Sequence, residues 1–132
     1  MIDASGTQIL LVEDDPLLRG AFRLLLEDAG YIVREAGSAS EAISAAQGDP
    51  PALILLDIGL PDRPGLDVAR TLRTKPETAE IPIIALTGHA GESYRLACLG
   101  AGCTNYFAKP VEPRILLDQV GRLLGSRPSR SA

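Results

Sequence analysis

Cysteine is scarce: Cys98 and Cys103 are the only two in 132 residues. Their spacing matches neither a zinc site nor a redox pair, so reduced, buried or half-buried thiols are expected. Long apolar runs are missing, since none approaches the ~20 residues of a membrane-spanning helix. The start, Met1-Ile2-Asp3-Ala4, lacks both the basic residues and the apolar stretch of a secretory signal. There is no basic excess either. Thirteen lysines and arginines face 17 acids, a net charge of −4, which argues against a nucleic-acid-binding surface. Together these absences point to a cytoplasmic protein with neither membrane nor nucleic acid as a direct partner. What is present suits one globular domain: 45% hydrophobic and 23% charged residues in a chain of single-domain length.

Between a loose lead-in at 1–6 and a tail at 125–132 without apolar residues to bury, both expected to be flexible, strands and helices alternate. Short apolar runs predict strands at 8–12, 32–35, 53–57, 81–87 and 105–108. Helices are predicted at 16–29, 39–47, 66–74, 92–99 and 113–124. Asp15 is read as the cap of the first helix and Pro16 as its first residue, where a missing N–H costs nothing. Leu18, Phe22, Leu25 and Ala29 form the stripe expected to face the sheet. Gly30 suits a left-handed residue past the helix end. Ser38 and Glu41 have capping-box spacing. Five βα units over residues 7–124 demand a parallel sheet with right-handed crossovers and helices on both faces. The doubly wound order 2-1-3-4-5 puts strand three in the centre.

Four of these strands end in reactive groups. Ile9-Leu10-Leu11-Val12 runs into Glu13-Asp14-Asp15, Ala52-Leu53-Ile54-Leu55-Leu56 into Asp57, Ile83-Ile84-Ala85-Leu86 into Thr87, and Tyr106-Phe107-Ala108 into Lys109. Open α/β sheets bind ligands at the carboxyl ends of their strands. Glu13, Asp14 and Asp57 would repel one another unless a divalent cation and a lysine relieved them, and hard oxygen donors suit Mg²⁺. Lys109 supplies a point charge and Thr87 a hydroxyl donor for an oxyanion. That set suits phosphoryl transfer, with the central Asp57 as nucleophile and Asp14 and Glu13 holding the metal. Taken singly, Thr87 is an ordinary strand residue, Lys109 a surface lysine, Tyr106 a half-buried aromatic and Glu13 and Asp14 loop acids. Their conjunction at four strand ends carries the reading.

These pieces, with Leu55-Leu56-Asp57-Ile58-Gly59-Leu60-Pro61, Gly65, Ala85-Leu86-Thr87-Gly88 and Tyr106-Phe107-Ala108-Lys109-Pro110, make the chain resemble the receiver domain of two-component response regulators over about residues 7–124. The resemblance implies that a histidine kinase, or a histidine phosphotransfer protein, passes a phosphoryl group to Asp57. It implies Mg²⁺ held by Asp14, Asp57 and the backbone carbonyl of Gly59, with Glu13 acting through water. Lys109 and Thr87 would bind the aspartyl phosphate, Thr87 would move toward it, and Tyr106 would turn inward. The surface of helix four, strand five and helix five would then control an output partner or a homodimer. The Lys109-Pro110 bond is expected to be cis. Such a module is a phosphoacceptor with slow self-dephosphorylation, not a turnover enzyme.

Some residues depart from the family pattern. Gly59 lacks the side chain often found two residues past the acceptor. His89, the single histidine, lies two residues past Thr87; both positions are expected to set the lifetime of the phosphorylated state, although His89 also reads as a solvated loop residue. Pro64 stiffens its loop, and Gly88 leaves the site open to a donor. The short tail after Leu124 suggests a receiver without its own output domain. A phosphorelay intermediate and a receiver module of a hybrid histidine kinase are the alternatives. A haloacid-dehalogenase-type phosphatase needs Asp-x-Asp after strand one, where this chain has Glu13-Asp14-Asp15. A pseudo-receiver would lack site residues that this chain retains.

Overall fold

A computed structural model describes residues 6–125. Ten elements alternate along the chain. They are β1 (Gln8–Val12), α1 (Pro16–Asp28), β2 (Ile32–Ala36), α2 (Ala39–Gly48), β3 (Leu53–Asp57), α3 (Gly65–Arg73), β4 (Ile83–Thr87), α4 (Glu92–Gly100), β5 (Asn105–Ala108) and α5 (Pro113–Leu124). All strand pairs are parallel, in the order β2-β1-β3-β4-β5. This is the α/β doubly wound, flavodoxin-like architecture that the alternation predicts, with β3 central.

Alternation along each strand divides the core in two. Leu10, Val12, Ile54, Leu56, Ile83 and Ala85 face α2 and α3 on one side of the sheet. Ile9, Leu11, Leu53, Leu55, Ile84 and Leu86 face α1 and α5 on the other. Every residue of β3 and β4 is buried, which is why those strands read as unbroken apolar runs.

Several local expectations shift, among them one-residue extensions of β2 to Ala36, α2 to Gly48 and α4 to Gly100. The buried side of α1 carries Phe22 and Leu26, whereas Ala29 is an exposed cap beyond the last helical residue. Strand β4 starts at Ile83 rather than Ile81, because Pro82 has no N–H to give to a ladder. Helix α3 starts one residue early, at Gly65, and Thr74 becomes its cap. Gly125, read as the start of the tail, closes α5 in the left-handed region at φ 67°. The flexible-terminus readings for 1–5 and 126–132 lie outside the described residues. Cys98 and Cys103 are free and buried as expected, and burial pushes the Cys103 thiol up to about 12.

The Asp15 and Ser38 caps hold as read, but Glu41 takes the Gly37 N–H at 2.7 Å rather than the Ser38 N–H that closes a capping box. Asp15 accepts from the Leu17 N–H at 3.0 Å and Ser38 Oγ from the Glu41 N–H at 3.2 Å. The Ala39 and Ser40 N–H groups of α2 are instead taken by Asp62, at 2.8 and 3.0 Å, from the loop before α3. Those two bonds hold the Asp62 carboxyl down at about 2.

Candidate functional site

Parallel packing puts Glu13, Asp14, Asp57, Thr87 and Lys109 at one edge of the sheet, each at or just past the carboxyl end of its strand. They line a cleft of about 500 Å³ together with Gly59. Glu13, Asp57 and Thr87 are buried, at 2%, 4% and 3% exposure, while Asp14 is exposed. One carboxylate oxygen from each of Glu13, Asp14 and Asp57 lies within 4.8 Å of the others. Three hard oxygen donors this close, one of them open to solvent, fit a magnesium ion.

Lys109 bridges two of the acids. Its Nζ lies 3.0 Å from Asp57 Oδ1 and 3.1 Å from Glu13 Oε1. Burial works against the ammonium, but the bonds and charges of Asp57 and Glu13 outweigh it, so the Lys109 pKa is raised. Burial also raises the Glu13 pKa, helped by the charge of Asp57 and opposed by the Asp15 N–H and Lys109. Asp57 Oδ1 accepts a second bond, from the Gly59 N–H at 3.3 Å. Both bonds fall on Oδ1, and neither engages Oδ2. Gly65 makes room behind Asp57: a Cβ there would lie 2.5 Å from the Asp57 carbonyl oxygen.

Around Thr87 the groups meet at His89. The Thr87 hydroxyl accepts from the His89 N–H at 3.1 Å, and the Tyr106 hydroxyl donates to the His89 carbonyl at 3.0 Å. Tyr106 is half-buried, and its ring already packs against the core on the α3 side of the sheet. The His89 ring is exposed yet stacked on Tyr94, with centroids 4.6 Å apart and planes 8° from parallel. It is therefore more than a solvated loop residue. The Lys109-Pro110 bond is cis.

Three contributors lie outside the sequence expectation. Tyr94 lines the cleft from α4, whose apolar stripe is too short to single it out. Arg19 donates to the Glu13 carbonyl at 2.8 Å and pairs with Glu35 at 3.3 Å, fixing the acidic turn. Asp62 holds α2 from 22 or 23 residues away, a distance no local capping rule covers. Only Arg19, one turn into α1 beside the acidic turn, had a local signal.

A parallel five-stranded sheet with an acidic cluster, a lysine and a hydroxyl at its carboxyl edge defines a phosphoacceptor type of signalling domain. The comparisons specify the family. Residues 9–121 match the family model of the response regulator receiver domain. The polar-differentiation response regulator DivK of Brucella ovis is 34% identical over 117 residues, 89% of this chain and 95% of DivK. The transcriptional regulatory protein GltR of Pseudomonas aeruginosa is 35% identical over 93% of this chain but only 51% of GltR. This chain thus spans about half the length of several relatives. Among solved structures, the receiver domain of a Pseudomonas aeruginosa sensor histidine kinase, with magnesium coordinated in its active-site cleft, aligns with TM-score 0.85 and 34% identity. That alignment covers 92% of this chain and all of the other. The chain belongs to the response regulator receiver family, a signalling module of two-component systems.

Proposed function

We propose that residues 7–124 form a receiver unit in which Asp57 takes a phosphoryl group from a phosphohistidine of a histidine kinase or histidine phosphotransfer protein. The carrying observation is the strand-end cluster, with Asp57 central and Lys109 bonded to it at 3.0 Å. Glu13, Asp14, Asp57 and the Gly59 carbonyl would hold Mg²⁺, with Glu13 acting through water. When bound, the ion supplies positive charge against the phosphoryl oxygens.

Lys109 holds the Asp57 carboxylate by Oδ1 and leaves Oδ2 to attack phosphorus. A bond from that oxygen to phosphorus forms as the donor's phosphorus–nitrogen bond breaks, and the imidazole leaves with the electron pair. Lys109 then faces the phosphoryl oxygens, and Thr87 turns its hydroxyl from the His89 N–H toward them. Tyr106 has little distance left to travel, so Thr87 makes the larger move. The change reaches the face of α4, β5 and α5, where Tyr94, Leu96, Leu99 and Ile115 stand exposed for an output partner or a second copy. The donor docks beside the cleft, where Leu17 is 86% exposed and Leu18, Phe22, Pro110 and Val111 line an apolar groove. The product is an aspartyl phosphate that persists as a signal and hydrolyses slowly. A hybrid-kinase module remains the second reading, supported by the kinase receiver described above.

Incubation with magnesium and acetyl phosphate tests the assignment. The intact mass gains one phosphoryl group in the wild type and none in Asp57→Asn. A wild type that gains nothing is a pseudo-receiver, and the assignment falls.

A further inference from the structure

Helix α4 is thinly anchored. Of its nine residues only Cys98 is buried, and no side chain caps its start at Gly91. The link from β4 is Gly88-His89-Ala90-Gly91, with Gly91 at φ 123°. In that link His89 is held at three points. Its N–H goes to Thr87, its carbonyl receives Tyr106, and its ring stacks on Tyr94 in the first turn of α4. The stack joins a side chain of the link to one of the helix, and it flanks the cleft that holds Asp57.

We propose that Tyr94 is a positioning residue for the Thr87 switch, acting through its stack on His89; this rests on the receiver reading above. When Thr87 turns its hydroxyl toward a phosphoryl group, the His89 N–H loses its acceptor. A main chain held at its carbonyl and through its ring has little freedom to find another protein acceptor, so the half-buried N–H bears part of that loss. The stack therefore weights the equilibrium toward the resting arrangement, and α4 senses Asp57 through it. A ligand shifts such an equilibrium only by its differential affinity for the two arrangements, so loosening the resting one tightens any ligand of the switched one.

Beryllium trifluoride, an aspartyl-phosphate mimic, reads this directly when titrated with magnesium by fluorine NMR. Tyr94→Ala should bind it about two- to tenfold more tightly, the range a stacked pair spans. Tyr94→Phe, which keeps the ring, should match the wild type. His89→Ala should repeat the Tyr94→Ala shift, and the double variant should add nothing, because both remove one contact. The His89 and Thr87 amide resonances should move in Tyr94→Ala before any fluoride is added, a signature that general loosening of α4 would not concentrate there. Unchanged or weaker affinity in Tyr94→Ala, or full additivity in the double variant, overturns the proposal while leaving the receiver reading intact. A wild type that binds no beryllium trifluoride overturns both.

Discussion

Asp14 should cost the metal-free protein stability. It is exposed, and among the described residues no hydrogen bond or ion pair engages its side chain, yet its carboxylate lies within 4.8 Å of ligand oxygens of both Glu13 and Asp57. Two like charges at that spacing repel by about 0.9 kcal/mol in water and about 3.5 kcal/mol at an effective dielectric of 20. Exposure favours the lower figure for each neighbour, and the Lys109 ammonium returns part of it. Asp14→Asn should therefore stabilise the metal-free protein by about 1 kcal/mol, or ~0.7 M in the urea midpoint at a slope of about 1.5 kcal/mol/M. Magnesium should reverse the order. At ten times its dissociation constant a ligand of the native state adds about 1.4 kcal/mol, and the variant, missing one donor, should gain less. The chain has no tryptophan, so far-UV dichroism follows unfolding better than fluorescence. The experiment compares EDTA with magnesium at matched ionic strength, since salt alone screens the repulsion. A destabilised Asp14→Asn in EDTA would refute the repulsion, and equal gains from magnesium would refute the role of Asp14 in holding it.

Two further outcomes follow from the backbone around the site. Gly65→Ala would drive a Cβ to 2.5 Å from the Asp57 carbonyl oxygen and 2.6 Å from Ile58 Cα, both main-chain atoms that cannot swing aside. It should cost ~1–3 kcal/mol or more in thermal unfolding and slow phosphorylation of Asp57; normal stability with normal phosphorylation would mean that the approach is not needed. Asp62→Ala should speed hydrogen exchange at the Ala39 and Ser40 amides and leave β3 untouched. Because the folded carboxyl of Asp62 is held down at about 2, its contribution is complete above the ordinary carboxylate range and is lost as pH falls through that value. Wild-type protection of those two amides should thus survive at pH 4 and fade toward pH 2, and a loss centred near pH 5 would contradict the cap.

The parts legible in the sequence share one physical cause. Strands β1, β3 and β4 are buried on both faces, so their residues must be apolar and the first polar residue marks the strand end. Parallel pairing then brings those ends to one edge, which is why Glu13, Asp14, Asp57 and Thr87 group from the sequence alone; Lys109 joins them from the end of the half-buried β5, whose short apolar run Tyr106-Phe107-Ala108 marks it. Asp15 and Ser38 were legible because a cap acts over three residues. The rest depends on contacts without a sequence period. Phe22 and Leu26 rather than Ala29 complete the inner side of α1 because the helix ends at Asp28. Asp62 reaches the start of α2 from the loop between β3 and α3, a contact that only the tertiary fold creates. Most consequential is His89. Its position two residues past Thr87 marked it as a modulator, but nothing in the sequence says that its main chain would join Thr87 and Tyr106 while its ring meets Tyr94. On the proposed reading, chemistry at Asp57 follows from strand ends, which the core fixes. The ease of switching would follow from the Gly88–Gly91 link, where two glycines and an alanine flank His89 and leave its shape to those three contacts. Relatives that keep the strand-end residues and differ at positions 89 and 94 should therefore share the phosphoacceptor and differ in how readily Thr87 leaves its resting bond.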